Sequence, residues 1–513
     1  MPEEQEKKIL NKLVQGAGIT VIGMFFSKFL TYFYRLAVAR IGPDAYGQLS
    51  QGLVIIGIMG TLSKFGFDEA IRKFIPEARE EENRAKIKGI VWDSVKFISV
   101  TSLSLGAAVF LLSDHIAVLL FESPETAPII RVFAAVPFFS KIASIFLDVT
   151  LGFNTTKYKV LTVRVAQNII QLSVTLLMIY LNFGVLGAAY GWLAGIIASL
   201  PIALYFMEKN FGPILTSDVK PKKMYNRMLK FSYPLIFSGI VGTALGWGDT
   251  ALLGYFMDDA TVGFYNAAYP TALLIVLPAQ AISSLALSSF SELGAKGHGQ
   301  VKALKTTTRW VFSMSFPAFL IMALFSDQMM HLLFGKQYAV TGTALTILAF
   351  GNLIGTTTGQ TGAYLKSNNR TKIIAYNSTI NLMLNMALNL VLIPLIGMVG
   401  AAIATAVSSV LMNILVLTEL YRYDGTHPFS KEMIRPVIAG TISITVTYLV
   451  FSQIFQTTPY WALIPAGAVF GTTYSLIFLK SGGLKPYDKE IIVTAARKIG
   501  LEKQARKTIE ILT

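Results

Sequence analysis

Apolar residues recur in runs of membrane length along nearly the whole chain, from Gly16 to Leu479, with short polar stretches between them. A helix needs about 20 such residues to cross about 30 Å of hydrocarbon. On that criterion the pattern predicts helices near 16–40, 46–66, 88–112, 128–151, 158–181, 184–206, 230–257 and 262–290. Six more follow near 308–325, 341–365, 372–393, 397–420, 434–454 and 459–479. The first run is expected to stay in the protein. It is too long for the apolar core of a signal peptide, contains Lys28 and Arg35, and ends without a small-residue cleavage site. The expectation is an all-α integral membrane protein of about 14 transmembrane helices.

Composition agrees. Of 513 residues 53% are hydrophobic and 14% charged, with a mean hydropathy of +0.56. Soluble domains carry about 25% charged residues, so nearly half the usual charge is missing. With no cysteine there is neither a disulfide framework nor thiolate chemistry to consider. The formal charge of +15 is placed by topology. If the N-terminus is cytoplasmic and the loops alternate, the inside set takes Arg72-Lys73 to Lys88, Lys209 to Lys230 and the tail from Lys480. That set holds about thirty-five of the 44 basic residues, the positive-inside asymmetry of a multi-pass protein. The excess therefore orients the chain and meets anionic lipid headgroups, and nucleic acid is not an expected partner. Both termini are expected on the cytoplasmic side of the cell membrane.

The chain also repeats itself. Gly184-Val185-Leu186-Gly187-Ala188-Ala189 matches Gly397-Met398-Val399-Gly400-Ala401-Ala402, an offset of 400 − 187 = 213, and Asn168 falls on Asn381. Near the start of each half, Tyr46-Gly47 matches Val262-Gly263, an offset of 263 − 47 = 216. The expected organisation is two pseudo-symmetric six-helix lobes, 1–215 and 216–425, then two additional helices, 426–480, and a basic tail, 481–513. Parallel repeats of this kind form two bundles related by an axis along the membrane normal, with a site between them.

The run Arg35-Leu-Ala-Val-Ala-Arg-Ile-Gly-Pro-Asp-Ala-Tyr-Gly47 resembles the start of polysaccharide and O-antigen flippases of the multidrug/oligosaccharidyl-lipid/polysaccharide exporter superfamily. The resemblance continues through Phe65-Gly66-Phe67-Asp68-Glu69-Ala70-Ile71-Arg72-Lys73-Phe74, Gly248-Asp249-Thr250-Ala251-Leu252-Leu253-Gly254-Tyr255 and Asn389 to Ala402. It covers most of the chain and the plan of two times six plus two helices. Thr250 departs from it, because many relatives carry a basic residue after the aspartate. The resemblance implies translocation of a polyprenyl- or dolichyl-linked saccharide to the outer leaflet. It also implies membrane lipids and the polysaccharide polymerase or glycosyltransferase machinery as partners, with no cofactor.

An ionisable group within hydrocarbon costs at least about 2.5–3.5 kcal/mol on insertion scales, so each one calls for a reason. Lys28, Thr31, Tyr32 and Arg35 share one face of the first helix by their i, i+3, i+4, i+7 spacing. A phosphate-linked lipid brings negative charge into the membrane. Arg matches it by bidentate donation and Lys as a point charge. The alternative is that Arg35 snorkels outward and Lys28 pairs with an acid. Arg164, Gln167, Asn168 and Gln171 form a second stripe, and Asp148 and Arg164, at similar depth across one hairpin, are expected to form a structural ion pair. Lys141, two turns from Asp148, is then left over for substrate. Asp249 is the lone acid within its helix, read as a coupling or gate residue that pairs with Arg35 or binds H⁺ or Na⁺, or else as a helix-packing acid. Asn377, Asn381, Asn385 and Asn389 read mainly as interhelical glue. Arg131 and Arg309 are expected to snorkel, and Lys96 to pair with Asp93.

Enzymatic chemistry finds little support. His115, His298, His331 and His427 lie far apart in expected loops, so no metal cluster emerges, and Asp258-Asp259 lacks a third ligand. No phosphate-binding Gly-x-x-x-x-Gly-Lys loop occurs. Asn154-Thr155-Thr156 has the glycosylation pattern on the expected cytoplasmic side. Two rivals stand beside the flippase reading. An ion-coupled multidrug antiporter of the same superfamily would bind cations, which Lys28 and Arg35 repel. A membrane glycosyltransferase or assembly scaffold would show a large loop rich in acids or histidines.

Overall fold

A computed structural model describes residues 23–489 apart from 24, 154, 216, 296–298, 456–458, 486 and 487, together with 493 and 502–504. Residues 16–22 of the first expected helix, Asn154, His298 and nearly all of the basic tail thus lie outside the described residues. Every described element is helical. α1 covers residues 25–39. Next come α2 Pro43–Lys64, α3 Phe67–Glu80, α4 Arg84–Leu111, α5 Ser113–Phe121, α6 Ala127–Phe133, α7 Val136–Gly152, α8 Lys157–Tyr180, α9 Gly184–Phe211 and α10 Tyr225–Phe256. They are followed by α11 Asp259–Ala272, α12 Leu277–Ala295, α13 Gln300–Leu324, α14 Ser326–Phe334, α15 Gly342–Thr357, α16 Thr361–Ser367, α17 Thr371–Asp424, α18 Ile434–Ile454 and α19 Leu463–Lys480. Among the described residues 11 helical segments are long and apolar enough to cross a membrane, or up to 12 if the bent α2–α3 pair is one span. The chain is a multi-pass membrane protein.

One expectation changes in these elements. Residues 67–80, assigned to a cytoplasmic loop, form α3. Phe67, Ala70, Ile71, Phe74, Ile75 and Ala78 recur at helical spacing and are all buried, while Asp68, Glu69, Arg72 and Lys73 occupy the other face. The helix is amphipathic, not apolar all round, so a search for membrane-length runs passes over it. Phe65 and Gly66, both left-handed, bend the chain by 40° between α2 and α3. α17 is in fact two helices broken at Ile396-Gly397, where Gly397 has φ +57°.

The repeat has a local structural meaning. Gly184 takes φ +55° and Gly397 φ +57°, a conformation that costs glycine nothing. Each starts a tight helix–helix reversal. A Cβ on Gly187 would lie 2.7 Å from Met178 Cβ, and one on Gly400 2.3 Å from the Leu392 carbonyl oxygen. Ala188, Ala189, Ala401 and Ala402 are fully buried behind those turns.

By internal contact the chain divides into two compact units. The first runs to Ala267 and includes Leu382–Ala404; the second comprises Ala268–Asn381 and the residues from Thr405 on. The core of the first unit is built by α3, α4, α7 and α9. Phe67, Ile71 and Phe74 pack with Ile90, Val91, Ile142, Phe146 and Met207. α9 presents Gly191 and Gly195 to α8, where added Cβ atoms would meet Thr175 Oγ1 at 2.0 Å and the Gln167 carbonyl at 2.7 Å. Small residues at four-residue spacing let helices approach in this way where lipid offers no hydrophobic drive. Asp93 does not pair with Lys96; its Oδ2 accepts from Met224 N at 2.7 Å and Tyr225 N at 2.9 Å, capping the start of α10.

In the second unit α13 packs against α15 and α18, and α18 against α19. Tyr474 OH donates to the Ser313 carbonyl at 2.7 Å, and Gly440 of α18 receives Phe316 and Leu320 of α13. Arg309 does not snorkel. It is 4% exposed, donates through Nη2 to Asp488 at 2.7 and 2.9 Å, and is joined there by Trp310 Nε1. The chain after α19 folds back onto α13 and supplies this acid, so the basic residue is neutralised from beyond the last helix.

Candidate functional site

The sequence-derived candidates, Lys28, Tyr32, Arg35, Lys141, Asp148, Arg164 and Asp249, all lie in the first unit, where the helices sort them into three groups.

The first group is on α1. The face carrying Ser27, Tyr34 and Val38 is buried: Tyr34 OH donates to the Ala188 carbonyl of α9 at 3.2 Å, and Asn168 Nδ2 of α8 donates to Ser27 Oγ at 2.8 Å. Helical geometry therefore turns Lys28, Tyr32 and Arg35 to a different side. Lys28 is exposed, and Tyr32 and Arg35 are half-buried. Arg35 Nη1 donates to the Tyr46 hydroxyl at 3.0 Å, and that hydroxyl donates to the Asn266 carbonyl at 2.9 Å. Arg35 is thus held by a fully buried tyrosine at the start of α2, not released outward as snorkelling required. Arg164 is exposed, and its charge and that of Arg35 both act on Lys28.

The expected Asp148–Arg164 pair is not formed. Asp148 is completely buried near the end of α7, and its Oδ1 accepts from Arg72 Nη2 at 2.9 Å, Arg72 Nε at 3.2 Å and Lys159 Nζ at 3.0 Å. Ser144 Oγ donates to Oδ2 at 3.0 Å. Two structural facts explain the change of partner. Arg72 comes from α3, an amphipathic helix where the apolar pattern predicts a loop. The segment Val160–Ala166 is a π-helix, whose wider turn shifts the angular position of Arg164 relative to a regular helix. Arg164 consequently belongs with the cations around Lys28 and not with Asp148. Lys141, two turns earlier on α7, sits over Gly60 of α2, where a Cβ would lie 2.9 Å from its Nζ.

The third group surrounds Asp249 in α10. Oδ2 accepts from Tyr265 OH at 2.5 Å, and Oδ1 from Asn389 Nδ2 at 2.7 Å. Asn389 Nδ2 also reaches Asn385 Oδ1 at 3.1 Å, while Asn389 Oδ1 is buried with no hydrogen-bond donor among the described residues. Thr250, at the position where the family pattern is broken, hydrogen-bonds Asn266 at 3.3 Å. Asn377 donates to Glu419 at 2.6 Å within the second unit, so the asparagine stripe links side chains and spans two environments.

A tight seam joins the starts of α2 and α11. A Cβ on Gly47 would lie 1.8 Å from the Asp259 carbonyl oxygen, and one on Gly263 2.0 Å from the Pro43 carbonyl oxygen. Both pairs are related by 216 residues, so the repeat packs its two equivalent helix starts reciprocally. Asp259 closes the seam by accepting from Gln51 at 2.7 Å, Gln48 at 3.0 Å and Ser123 at 2.7 Å. Its carboxylate is fully engaged there. Gln48, Gln51 and Ser123 carried no sequence signal of their own, because uncharged polar residues at helix ends are ordinary.

Residues 13–290 match the family model for polysaccharide biosynthesis proteins, and residues 165–465 match that for the lipid II flippase MurJ. The chain is 29% identical over 229 residues to the Haloferax volcanii protein named "Probable low-salt glycan biosynthesis flippase Agl15", an alignment covering 44% of this chain and 47% of that one. It thus spans about half the length of that curated relative. Its fold is similar to that of the lipid II flippase MurJ, a structure solved in an inward closed conformation, at a TM-score of 0.73 and 18% identity, covering 90% of this chain and 98% of that one. An inward-facing multidrug resistance transporter of the MATE family of the MOP superfamily aligns at a TM-score of 0.65 and 14% identity, covering 78% and 96%. The chain belongs to the polysaccharide biosynthesis protein family, and it also fits the lipid II flippase MurJ family model over more than half of its length.

Proposed function

We propose that this protein carries a polyprenyl- or dolichyl-(pyro)phosphate-linked saccharide across the cell membrane by alternating access, for polysaccharide or glycan assembly. Fourteen helices in two pseudo-symmetric lobes with two additional helices, and both termini in the cytoplasm, are the architecture this reading assigns. The observation that carries it is the anchored cationic face of α1. Arg35 is oriented by Tyr46, and Lys28 stands about 10 Å away along the same helix. Such a face offsets the negative charge of a phosphate-linked headgroup while the lipid tail stays in the bilayer. The Gly47–Gly263 seam supports an arrangement closed at that end of the helices. Asp249, held between Tyr265 and Asn389, has the oxygen-rich surroundings of a coupling or gating acid. Downstream polymerase or glycosyltransferase machinery is the natural consumer of the product. A multidrug antiporter is the second reading, and the MATE likeness favours it at the level of fold. Its usual cationic substrates meet three like charges at Lys28, Arg35 and Arg164.

The test is complementation of a flippase-deficient strain, scored beside the amount of protein in the membrane. Lys28→Gln and Arg35→Gln are each expected to cut transport by about a hundredfold or more, which corresponds to roughly 2.7 kcal/mol of lost stabilisation. Arg35→Lys should retain part of it, because charge remains while bidentate geometry is lost. Full activity of the Lys28→Gln, Arg35→Gln double variant would sink the cationic-face mechanism.

A further inference from the structure

The bend at Phe65-Gly66 leaves a cavity of about 400 Å³ beside the junction of α2 and α3, in the size range of small-ligand sites. It is lined by Thr61, Lys64, Asp68 and Glu69 on one wall and by Phe231 and Ser238 of α10 on the other. We propose that this cavity is a receiving site for the phosphorylated, hydroxyl-rich headgroup of the lipid-linked glycan. The proposal rests on the flippase reading and adds a station to it. Lys64 follows Tyr46 by 18 residues, so this site lies about 27 Å along α2 from the Arg35–Tyr46 contact.

Three observations support a ligand of this chemistry. First, the charges around the cavity do not cancel. Lys64 binds Asp68 at 2.9 Å; Arg72 binds Glu69 at 2.9 Å and shares Asp148 with Lys159. Lys64–Asp68 is one pair and Arg72, Lys159, Glu69 and Asp148 form a second group, so three cations balance three carboxylates. Lys141, within the field of Lys64, Asp68, Asp148 and Lys159, adds a positive charge to this balance, as does Lys73, whose ammonium lies 4.3 Å from the ring centre of Phe231 on the cavity wall. Second, among the described residues no carboxylate stands within 4.0 Å of Lys141 Nζ, and the ammonium sits over Gly60, next to Thr61 of the cavity wall. Any side chain at residue 60 would displace it. Third, the walls carry both donors and acceptors. The Thr61 and Ser238 hydroxyls and the Asp68 and Glu69 carboxylates suit sugar hydroxyls, while Lys141, over Gly60 beside the wall and not itself part of it, suits a phosphate oxygen. The same chemistry is offered by a membrane phospholipid headgroup, so the test must separate the two sources.

The chain has no cysteine, so Ser238→Cys places a single thiol at the cavity wall. The full-length variant in phosphatidylcholine nanodiscs is reacted with a soluble maleimide, with and without the native host's total membrane lipid extract. A second portion of the extract is first treated with mild acid, which splits glycosyl phosphate lipids and leaves phospholipids intact. The untreated extract is expected to slow labelling about tenfold when its ligand reaches about ten times Kd, and acid treatment should abolish the protection. Protection that survives acid identifies a phospholipid headgroup and overturns the proposal, as does no protection at all. Lys141→Met should remove the protection, and Gly60→Val, which displaces the ammonium, should do so independently. Transport by Ser238→Cys is measured in parallel. A protein that transports but is never protected refutes the receiving site alone, whereas absence of transport by the unmodified chain refutes the flippase reading.

Discussion

Asp148 and Lys141 lie two turns apart on the same helix, and the protein treats them in opposite ways. Asp148 is fully buried, and two cations and a serine hydroxyl saturate its carboxylate. Lys141 lies over a glycine, outside ion-pair distance of the described carboxylates. The first arrangement is what a buried charge requires to be tolerated: an opposite charge and filled hydrogen-bonding sites. The second leaves a charge whose compensation must come from elsewhere. Membrane burial alone therefore does not mark a functional charge. The discriminating feature is whether the protein itself has completed the charge's surroundings.

The largest expected effect follows from breaking the completed arrangement. Asp148→Ala leaves Arg72 and Lys159 facing each other at a buried position. Breaking such a pair costs up to about 3–5 kcal/mol, less here because both cations are about one-third exposed. Folded yield in detergent should fall sharply. Arg72→Ala should lower it clearly as well, and Arg164→Ala should change it by no more than about 0.5 kcal/mol, since Arg164 is exposed and not part of the pair. Equal losses for Arg72→Ala and Arg164→Ala would contradict the observed pairing.

A middle-sized effect should come from Asp93, another acid that the protein has fully assigned. It caps α10 from α4 through two short backbone contacts. Asp93→Ala should reduce thermal stability by about 0.5–2 kcal/mol, with Asn recovering part of the loss. If Lys96→Ala is equally harmful, the acid serves Lys96 after all.

The smallest effect on stability is expected at Lys141. Lys141→Met removes an unpaired charge and keeps an apolar chain of similar length, so the melting temperature should stay the same or rise slightly. Transport should nevertheless fall. A melting temperature several degrees lower with transport unchanged would mean that Lys141 is a structural residue like Asp148, and the contrast between the two would disappear.

The sequence made some of this organisation legible and concealed the rest for identifiable reasons. Runs such as 88–112 and 434–454 reappear as α4 and α18, because backbone groups in hydrocarbon must satisfy themselves within a helix whatever surrounds them. The match of Gly184 with Gly397 signalled a shared turn, since both need a positive φ. α3 is hidden from a search for apolar runs because its apolar residues occupy only one face. Depth along a regular hairpin does not reveal the partner of Asp148, because Arg164 lies in the π-helical stretch Val160–Ala166. Arg309 looked like a terminal snorkelling residue because its acid, Asp488, lies 179 positions away.

Hydrophobic run length is a local property, so the chain by itself determined that it is a membrane-embedded, helical protein. It also determined which side of α1 carries Lys28, Tyr32 and Arg35, since 3.6 residues per turn places them there in any helix. Tertiary structure alone decided which charges are spent on one another. Arg72, Lys159 and Asp148 meet only because α3 and α8 are brought to the end of α7, and Asp249 meets Tyr265 and Asn389 only because three separate segments converge. A salt bridge or hydrogen bond forms only within a few ångströms and with suitable direction. Distance of that kind is set by how helices pack, and the position of a residue along the chain does not contain it.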